Sequence, residues 1–193
     1  MLSAGKATRL GGVCKAMNLV GGRTMYEWWR RCQLTKPVVV CRSEHARSIP
    51  GPTIICDEGG GPAFALRAAL ALVTEGPVTV TYADTWVPSV PHDTEFCGVA
   101  AARGPRSWDV VEDGLVAYRH VDEDEAALVA VGLYRFADVN RLNKSIDEAI
   151  SSHTIGAEVG LADVVNTYGL PFVPVLGWQD VGDPEALVRW RHL

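Results

Sequence analysis

The chain has 193 residues, enough for one domain with a sizeable core, and with 48% hydrophobic and 21% charged residues it has the balance of a globular protein. A formal net charge of −5 argues against broad electrostatic binding to nucleic acid. No apolar run reaches membrane-spanning length and the N-terminus lacks the basic and apolar regions of a signal peptide, so a cytoplasmic protein with neither nucleic-acid nor membrane partner is expected.

The five cysteines, Cys14, Cys32, Cys41, Cys56 and Cys97, contain no Cys-x-x-Cys pair and are odd in number, which reads as reduced, mostly buried thiols. The five histidines are scattered without metal-ligand spacing, which speaks against zinc. There are no internal repeats, low-complexity tracts or linker-like stretches, so residues 1–193 are expected to form a single domain.

The chain opens on Leu2-Ser3-Ala4-Gly5-Lys6-Ala7-Thr8-Arg9-Leu10-Gly11-Gly12-Val13-Cys14-Lys15. Glycines and small residues let the backbone approach a ligand closely, and Lys6, Arg9 and Lys15 supply positive charge for an anion. The stretch is not a P-loop, since Gly5-Lys6 is followed by Ala7 rather than a hydroxyl residue. It resembles the Leu-Ala-Ala-Gly-x-Gly-Thr-Arg signature loop of nucleotidyltransferases with a GT-A-like fold, which is followed in that family by Pro-Lys. Ala7 stands for the usual glycine and Cys14 for the proline before Lys15. The family carries a full apolar strand ahead of this loop, where this chain has only Met1 and Leu2.

Thr24-Met25-Tyr26-Glu27 is a capping box, and Met25, Trp28, Trp29 and Cys32 then recur at helical spacing, predicting a helix over 24–33. The paired tryptophans at this spacing pack a helix on a sheet more readily than they stack on a base. Pro37 to Cys41 and Thr53 to Cys56 lack alternation, the pattern of strands buried on both faces, with a short polar helix between them. Gly59-Gly60-Gly61 then leads into a proline-started helix from Ala63 to Leu72. Three glycines before a helix leave room for a flat ligand, and Gly61-Pro62-Ala63 is similar to the family's Gly-Thr-Ala that contacts the nucleobase.

The run from Pro77 to Val87 is the next strand, and Asp84 falls near its C-terminal end, where open α/β sheets place ligand-binding groups. Ala83-Asp84-Thr85 resembles the Gly-Asp-Thr triplet that supplies the family's first metal ligand, and a carboxylate is a hard donor suited to magnesium. Beyond Phe96 the character changes. Glu112-Asp113-Gly114 between two apolar runs signals a hairpin, and Asp122 to Glu125 an exposed turn. Val131-Gly132-Leu133-Tyr134-Arg135-Phe136 resembles the Thr-Gly-Ile-Tyr-x-Phe strand that lies against the sugar in sugar nucleotidyltransferases. A helix over 138–150 follows.

Two late segments extend the likeness. Gly156 to Val165 resembles a helix start whose glutamate, here Glu158, helps hold the acceptor. Trp178-Gln179-Asp180-Val181-Gly182-Asp183-Pro184-Glu185 resembles the Trp-x-Asp-Ile-Gly-Thr-Pro-Glu segment that supplies the second metal ligand, here Asp180; Asp183-Pro184 also suits a helix start.

The resemblance implies a three-layer α/β/α, Rossmann-like (GT-A-like) fold with a mostly parallel sheet and an antiparallel insertion over about 96–136. It implies transfer of a nucleotidyl group from an NTP to a phosphorylated small molecule, with release of pyrophosphate. In that assignment Arg9 and Lys15 are catalytic cations, and Leu2, Ser3, Ala4, Gly5, Lys6 and Gly61 bind the nucleotide. Gly132 and Glu158 face the acceptor, and Asp84 and Asp180 share a Mg2+ ion, without which two close carboxylates would repel. A sugar 1-phosphate is the expected acceptor, phosphocholine in a cytidylyltransferase the alternative. A glycosyltransferase would use an Asp-x-Asp pair, which Asp84-Thr85-Trp86 lacks, and a non-catalytic nucleotide-binding domain is the remaining reading. Monomer and homo-oligomer are both open.

Overall fold

The structure is a computed structural model that describes residues 1–4, 13–32, 37–91 and 94–182. Its parallel half is made of β1 (Leu2–Ser3), β4 (Val39–Cys41) and β5 (Thr53–Ile55), with β1 against β4 and β4 against β5. A parallel bridge from Leu2 to Tyr82 carries this sheet on to β6 (Val78–Thr81). Strand β6 in turn pairs antiparallel with β11 (Ala126–Phe136), the longest strand, so the two halves form one continuous surface.

The antiparallel half follows from the sequence pattern after Phe96. Strand β8 (Phe96–Arg103) pairs with β11, and β12 (Phe172–Pro174) lies parallel to β8 on the other side. Strands β9 (Arg106–Glu112) and β10 (Leu115–Val121) form the expected hairpin, in full register from Leu115–Glu112 to Val121–Arg106. Its turn is Asp113-Gly114, both at positive φ (50° and 79°), the backbone that a two-residue hairpin of right-handed twist demands. In the acidic turn after β10, Arg119 bridges Glu112 and Glu125, tying the end of that run to the hairpin.

Successive side chains of a strand point to opposite faces, and here they enter two cores. Val40, Cys97, Tyr134 and Phe136 join one core; Val39, Cys41, Phe96 and Leu133 join the other. The first core is covered by α3 (Pro62–Leu70), α4 (Val139–Ser151) and α5 (Leu161–Tyr168), through Leu66, Leu142, Ile146 and Val164. The second is covered by α1 (Met25–Cys32), through Met25 and Trp29. The result is the three-layer α/β/α arrangement. Leu142 and Ile146 are fully buried, and truncating either to alanine would cost about 2–5 kcal/mol.

A short hairpin of β2 (Leu19–Val20) and β3 (Arg23–Thr24) leads into helix α1, which starts as its capping box requires: Glu27 Oε2 accepts from the Thr24 amide at 2.8 Å and Thr24 Oγ1 from the Glu27 amide at 3.2 Å. Helix α4 is capped by Asp138, which accepts from the amides of Asn140 and Arg141. A four-residue helix, α2 (Ser43–Ala46), fills the gap between β4 and β5. Two readings need correction. Strand β5 is not buried on both faces, because it lies at the sheet edge and Ile55 is 56% exposed. The run from Pro77 to Val87 is not one strand: it turns at Ala83-Asp84 and resumes as β7 (Thr85–Trp86).

All five cysteines are free thiols, four of them buried. Burial pushes the Cys97 thiol up to about 12, so it stays protonated. Among the described residues no helix is long and apolar enough to cross a membrane.

Candidate functional site

The site is built where β1, β4 and β6 end. A cavity of about 500 Å3 opens there, and Leu2, Ser3, Ala4, Lys15, Gly61, Asp84 and Glu158 all line it. The sequence assigned these seven residues to the nucleotide, catalytic, metal and acceptor groups, and the fold brings them to one cavity. Gly5, Lys6 and Arg9 lie outside the described residues, as do Asp183, Pro184 and Glu185.

Each lining group has a local cause. Residues 13–17 return to the strand ends because Ser3 Oγ accepts from the Ala16 amide and touches Cys14 Sγ, and a single 3-10 turn, Lys15–Met17, then projects Lys15. The glycine loop is pinned to the residues before α5: the Val159 amide donates to Gly60 at 2.7 Å and the Ala63 amide donates to Val159 at 3.1 Å. That pairing delivers Glu158 to the cavity. Gly61 has φ of 94°, and a Cβ there would lie 2.8 Å from the Val159 carbonyl oxygen, so the backbone itself requires glycine.

Asp84 is fixed from both sides. The indole of Trp29, buried in α1, donates to the Thr85 carbonyl at 2.9 Å, so this tryptophan packs and also anchors the turn. Strand β13 (Gln179–Asp180) pairs antiparallel with β7, Asp180 opposite Thr85, and the Val181 amide donates to the Asp84 carbonyl at 2.8 Å. This two-residue ladder brings together two aspartates almost a hundred residues apart. Asp84 Oδ2 and Asp180 Oδ1 each lie 2.9 Å from the position a Cβ on Gly182 would take, so the two oxygens are separated by at most twice that distance.

Both carboxylates have cation partners. Lys15 Nζ donates to Asp84 Oδ2 at 2.5 Å, and Arg106 donates to Asp180 Oδ2 at 2.8 Å, while Asp180 Oδ1 accepts from the Gly182 amide at 2.7 Å. The expectation of two mutually repelling, uncompensated carboxylates is therefore replaced by two ion pairs. The donor set still suits a hard divalent cation, since two carboxylates face a gap that a bare α-carbon leaves unfilled. No group of three or more metal-ligating side chains occurs among the described residues, so substrate oxygens and water would have to complete six-fold coordination.

A second cavity, of about 230 Å3, lies on the other side of Asp84 and Tyr82, which line both. Gly132 and Asp180 are in its wall, whereas Glu158 is in the larger one, so the two residues assigned to the acceptor line different cavities. Gly132 sits where the β11–β8 register shifts between Ala130 and Tyr134, with φ of 73°; a Cβ there would meet the Tyr82 ring at 2.5 Å. The bulge thus lets β11 pass close behind Tyr82.

The smaller cavity contains groups the sequence reading missed: Arg106, Trp108, Asp109 and Tyr118, all from the β9–β10 hairpin. The Arg106 guanidinium lies over the Trp108 ring at 4.7 Å, and Trp108 meets Trp178 edge-on at 5.5 Å. Asp109 has no hydrogen bond or ion pair among the described residues, and burial, with the Asp163 carboxylate adding to it, pushes its pKa up to about 6. The larger cavity adds Arg42 and Glu58. Arg42 directly follows buried β4, and a cation at the C-terminal end of a parallel strand was the available signal.

The model of the MobA-like NTP transferase domain matches residues 1–132, more than half of the chain, from the opening loop through Gly61 and Asp84 to Gly132. The chain belongs to this NTP transferase family. No curated protein matches it. Solved structures agree on the NTP transferase fold. A nucleoside-diphosphate-sugar pyrophosphorylase from Vibrio cholerae RC9 is similar over 100% of this chain and 99% of its own, at 16% identity and a TM-score of 0.73. A UTP-bound UGPase from Acinetobacter baumannii is similar over 99% of this chain and 90% of its own, at 13% identity and 0.70. A CTP:phosphocholine cytidylyltransferase from Streptococcus pneumoniae is similar over 99% of this chain and 96% of its own, at 13% identity and 0.68. At these identities the likeness establishes the fold, the Rossmann-like GT-A type. Glu158 and Asp180 lie beyond the stretch matched by the NTP transferase model.

Proposed function

We propose that the chain transfers a nucleotidyl group from an NTP to a phosphorylated small molecule, and that the observation carrying this reading is Asp84 as the shared wall of two cavities. The larger cavity has the volume for a nucleotide, with Ser3, Ala4 and Gly61 at its wall for triphosphate and base. The smaller holds the acceptor. An acceptor phosphate oxygen attacks the α-phosphorus, the bond from that phosphorus to the bridging oxygen breaks, and pyrophosphate leaves with the electron pair. No protein nucleophile is needed. What the reaction demands is alignment of two anions and neutralisation of their charge.

The chain's own residues supply this in named places. Lys15 and Arg9 are assigned to the phosphates of donor and acceptor, and the amides of residues 3–6 to the triphosphate. Asp84 and Asp180 would hold Mg2+, which when bound neutralises phosphate charge and fixes the in-line geometry. Lys15 already lies against Asp84, so its reach extends to whatever that carboxylate holds.

The Gly132 strand supports a sugar 1-phosphate as acceptor. The smaller cavity's modest volume favours a more compact one, of the size of phosphocholine. Incubation with each NTP, MgCl2 and a panel of phosphorylated acceptors, followed by pyrophosphate assay, tests the reading. Acceptor-dependent pyrophosphate release is expected. NTP binding without release would indicate a non-catalytic nucleotide-binding domain, and release of a nucleoside diphosphate from a sugar nucleotide would indicate a glycosyltransferase.

A further inference from the structure

Asp109 is the one carboxylate lining the smaller cavity for which the described residues provide no neutralising group. Asp84 has Lys15 and Asp180 has Arg106, whereas Asp109, half-buried on β9, has neither a hydrogen bond nor an ion pair among the described residues. A carboxylate partly withdrawn from water into a cavity, with no cation beside it, is costly, and a ligand of the opposite charge would complete it. The Asp163 carboxylate acts on it with charge of the same sign and adds to that cost.

Two properties of the cavity indicate what completes it. Its walls are aromatic (Tyr82, Trp108, Tyr118 and Trp178), and an aromatic face beside a carboxylate attracts a cation. The cavity already demonstrates this: the Arg106 guanidinium rests over Trp108 while it pairs with Asp180. A neutral hydroxyl could donate one hydrogen bond to Asp109 but would leave its charge, and the repulsion from Asp163, uncompensated.

We propose that the acceptor is a phosphomonoester carrying a positively charged nitrogen, and that Asp109 is the residue that selects it by pairing with that nitrogen. The proposal rests on the transferase reading for the phosphate end. There the acceptor's negative group points to the Asp84–Asp180 centre and its positive group to Asp109, so its charges alternate with those of the wall. A doubly charged phosphate on a neutral body would instead leave Asp109 without a counter-charge in the cavity wall.

The test uses matched acceptors that differ in the amine: O-phosphoethanolamine against ethyl phosphate, and glucosamine 1-phosphate against glucose 1-phosphate. Each is titrated calorimetrically into the full chain with MgCl2, for wild type, Asp109→Asn and Asp109→Glu. Wild type is expected to bind the amine member of at least one pair more tightly by about thirtyfold or more. Asp109→Asn should lose that preference and Asp109→Glu retain part of it, with NTP affinity unchanged in both. Equal binding within both pairs by wild type, or a preference that survives in Asp109→Asn, overturns the proposal. Failure of the transferase reading shows separately, as absence of pyrophosphate with every NTP and acceptor, because the binding preference is read without turnover.

Discussion

Lys15 and Asp84, assigned by sequence to different duties, form one ion pair at 2.5 Å across 69 residues of chain. The pair is only partly buried, with 31% and 21% of the two side chains exposed, so its worth to stability is about 1 kcal/mol or less. In the proposed reaction its worth to a phosphoryl transition state would be several times larger, because charge in a closed site is less screened. Lys15→Ala is therefore expected to lower turnover at least about a hundredfold while shifting the urea midpoint little. It should also lower the MgCl2 concentration needed for half-maximal binding, since Asp84 no longer has a competing cation. Near-normal turnover in the variant would remove Lys15 from the chemistry.

Asp84→Asn and Asp180→Asn should each abolish magnesium-dependent turnover. Because each carboxylate has its own cation, neither substitution relieves a repulsion, and neither variant should be more stable than wild type. Thermal unfolding in EDTA checks this, and a raised midpoint would mean that the repulsion persists.

Asp109 makes stability depend on pH in a defined direction. Its folded pKa of about 6 is above the ordinary carboxylate value, so between pH 4 and 6 the folded chain holds a proton that the unfolded chain has released. Its contribution is fully favourable below pH 4, is lost as pH rises through 6, and leaves a cost of about 3 kcal/mol above that. Asp109→Asn should accordingly be more stable than wild type at pH 7.5 by up to that amount, with the gap closing towards pH 4.5. Urea unfolding of both proteins at the two pH values measures it, and a gap that does not change with pH would contradict the assignment.

The base site is best tested at Gly59 and not at Gly61. A side chain at Gly61 collides with the Val159 backbone, so Gly61→Val would disturb the loop whatever binds there. Gly59 lines the same cavity, has no positive φ, and a Cβ on it meets nothing within 4 Å. Gly59→Val should raise the KM for NTP more than it lowers kcat, since base contacts are alike in ground and transition states. An unchanged KM would move the base elsewhere.

Gly132→Ala is expected to destabilise the fold by about 2–4 kcal/mol, because the residue combines positive φ with a close approach to the Tyr82 ring. Denaturant unfolding checks it. Loss of activity without loss of stability would assign the glycine to the acceptor alone.

What could be read from the sequence was what depends on short spacing. The capping box at Thr24 and the Asp113-Gly114 turn each contain their cause within a few residues, and each appears in the fold. That Asp84 lies just past β6 was readable because a strand end is a local feature. Arg106 and Asp109 were not. Their place depends on which face of β9 meets the β6–β7 turn, which is set by pairing with β10 and β11 and not by any motif. The separation of Glu158 from Gly132 was hidden for the same reason, since Val159's bond to Gly60 links segments a hundred residues apart.

The β7–β13 ladder has a consequence for how the centre comes into being during synthesis. Lys15 and Asp84 are made in the first half of the chain and can pair as soon as β1 and β6 are joined, but Asp180 arrives nearly a hundred residues later. At about 5–20 residues per second that is a delay of roughly 5–20 s. Over that interval Lys15 is the cation within reach of Asp84, and the two-carboxylate centre does not yet exist.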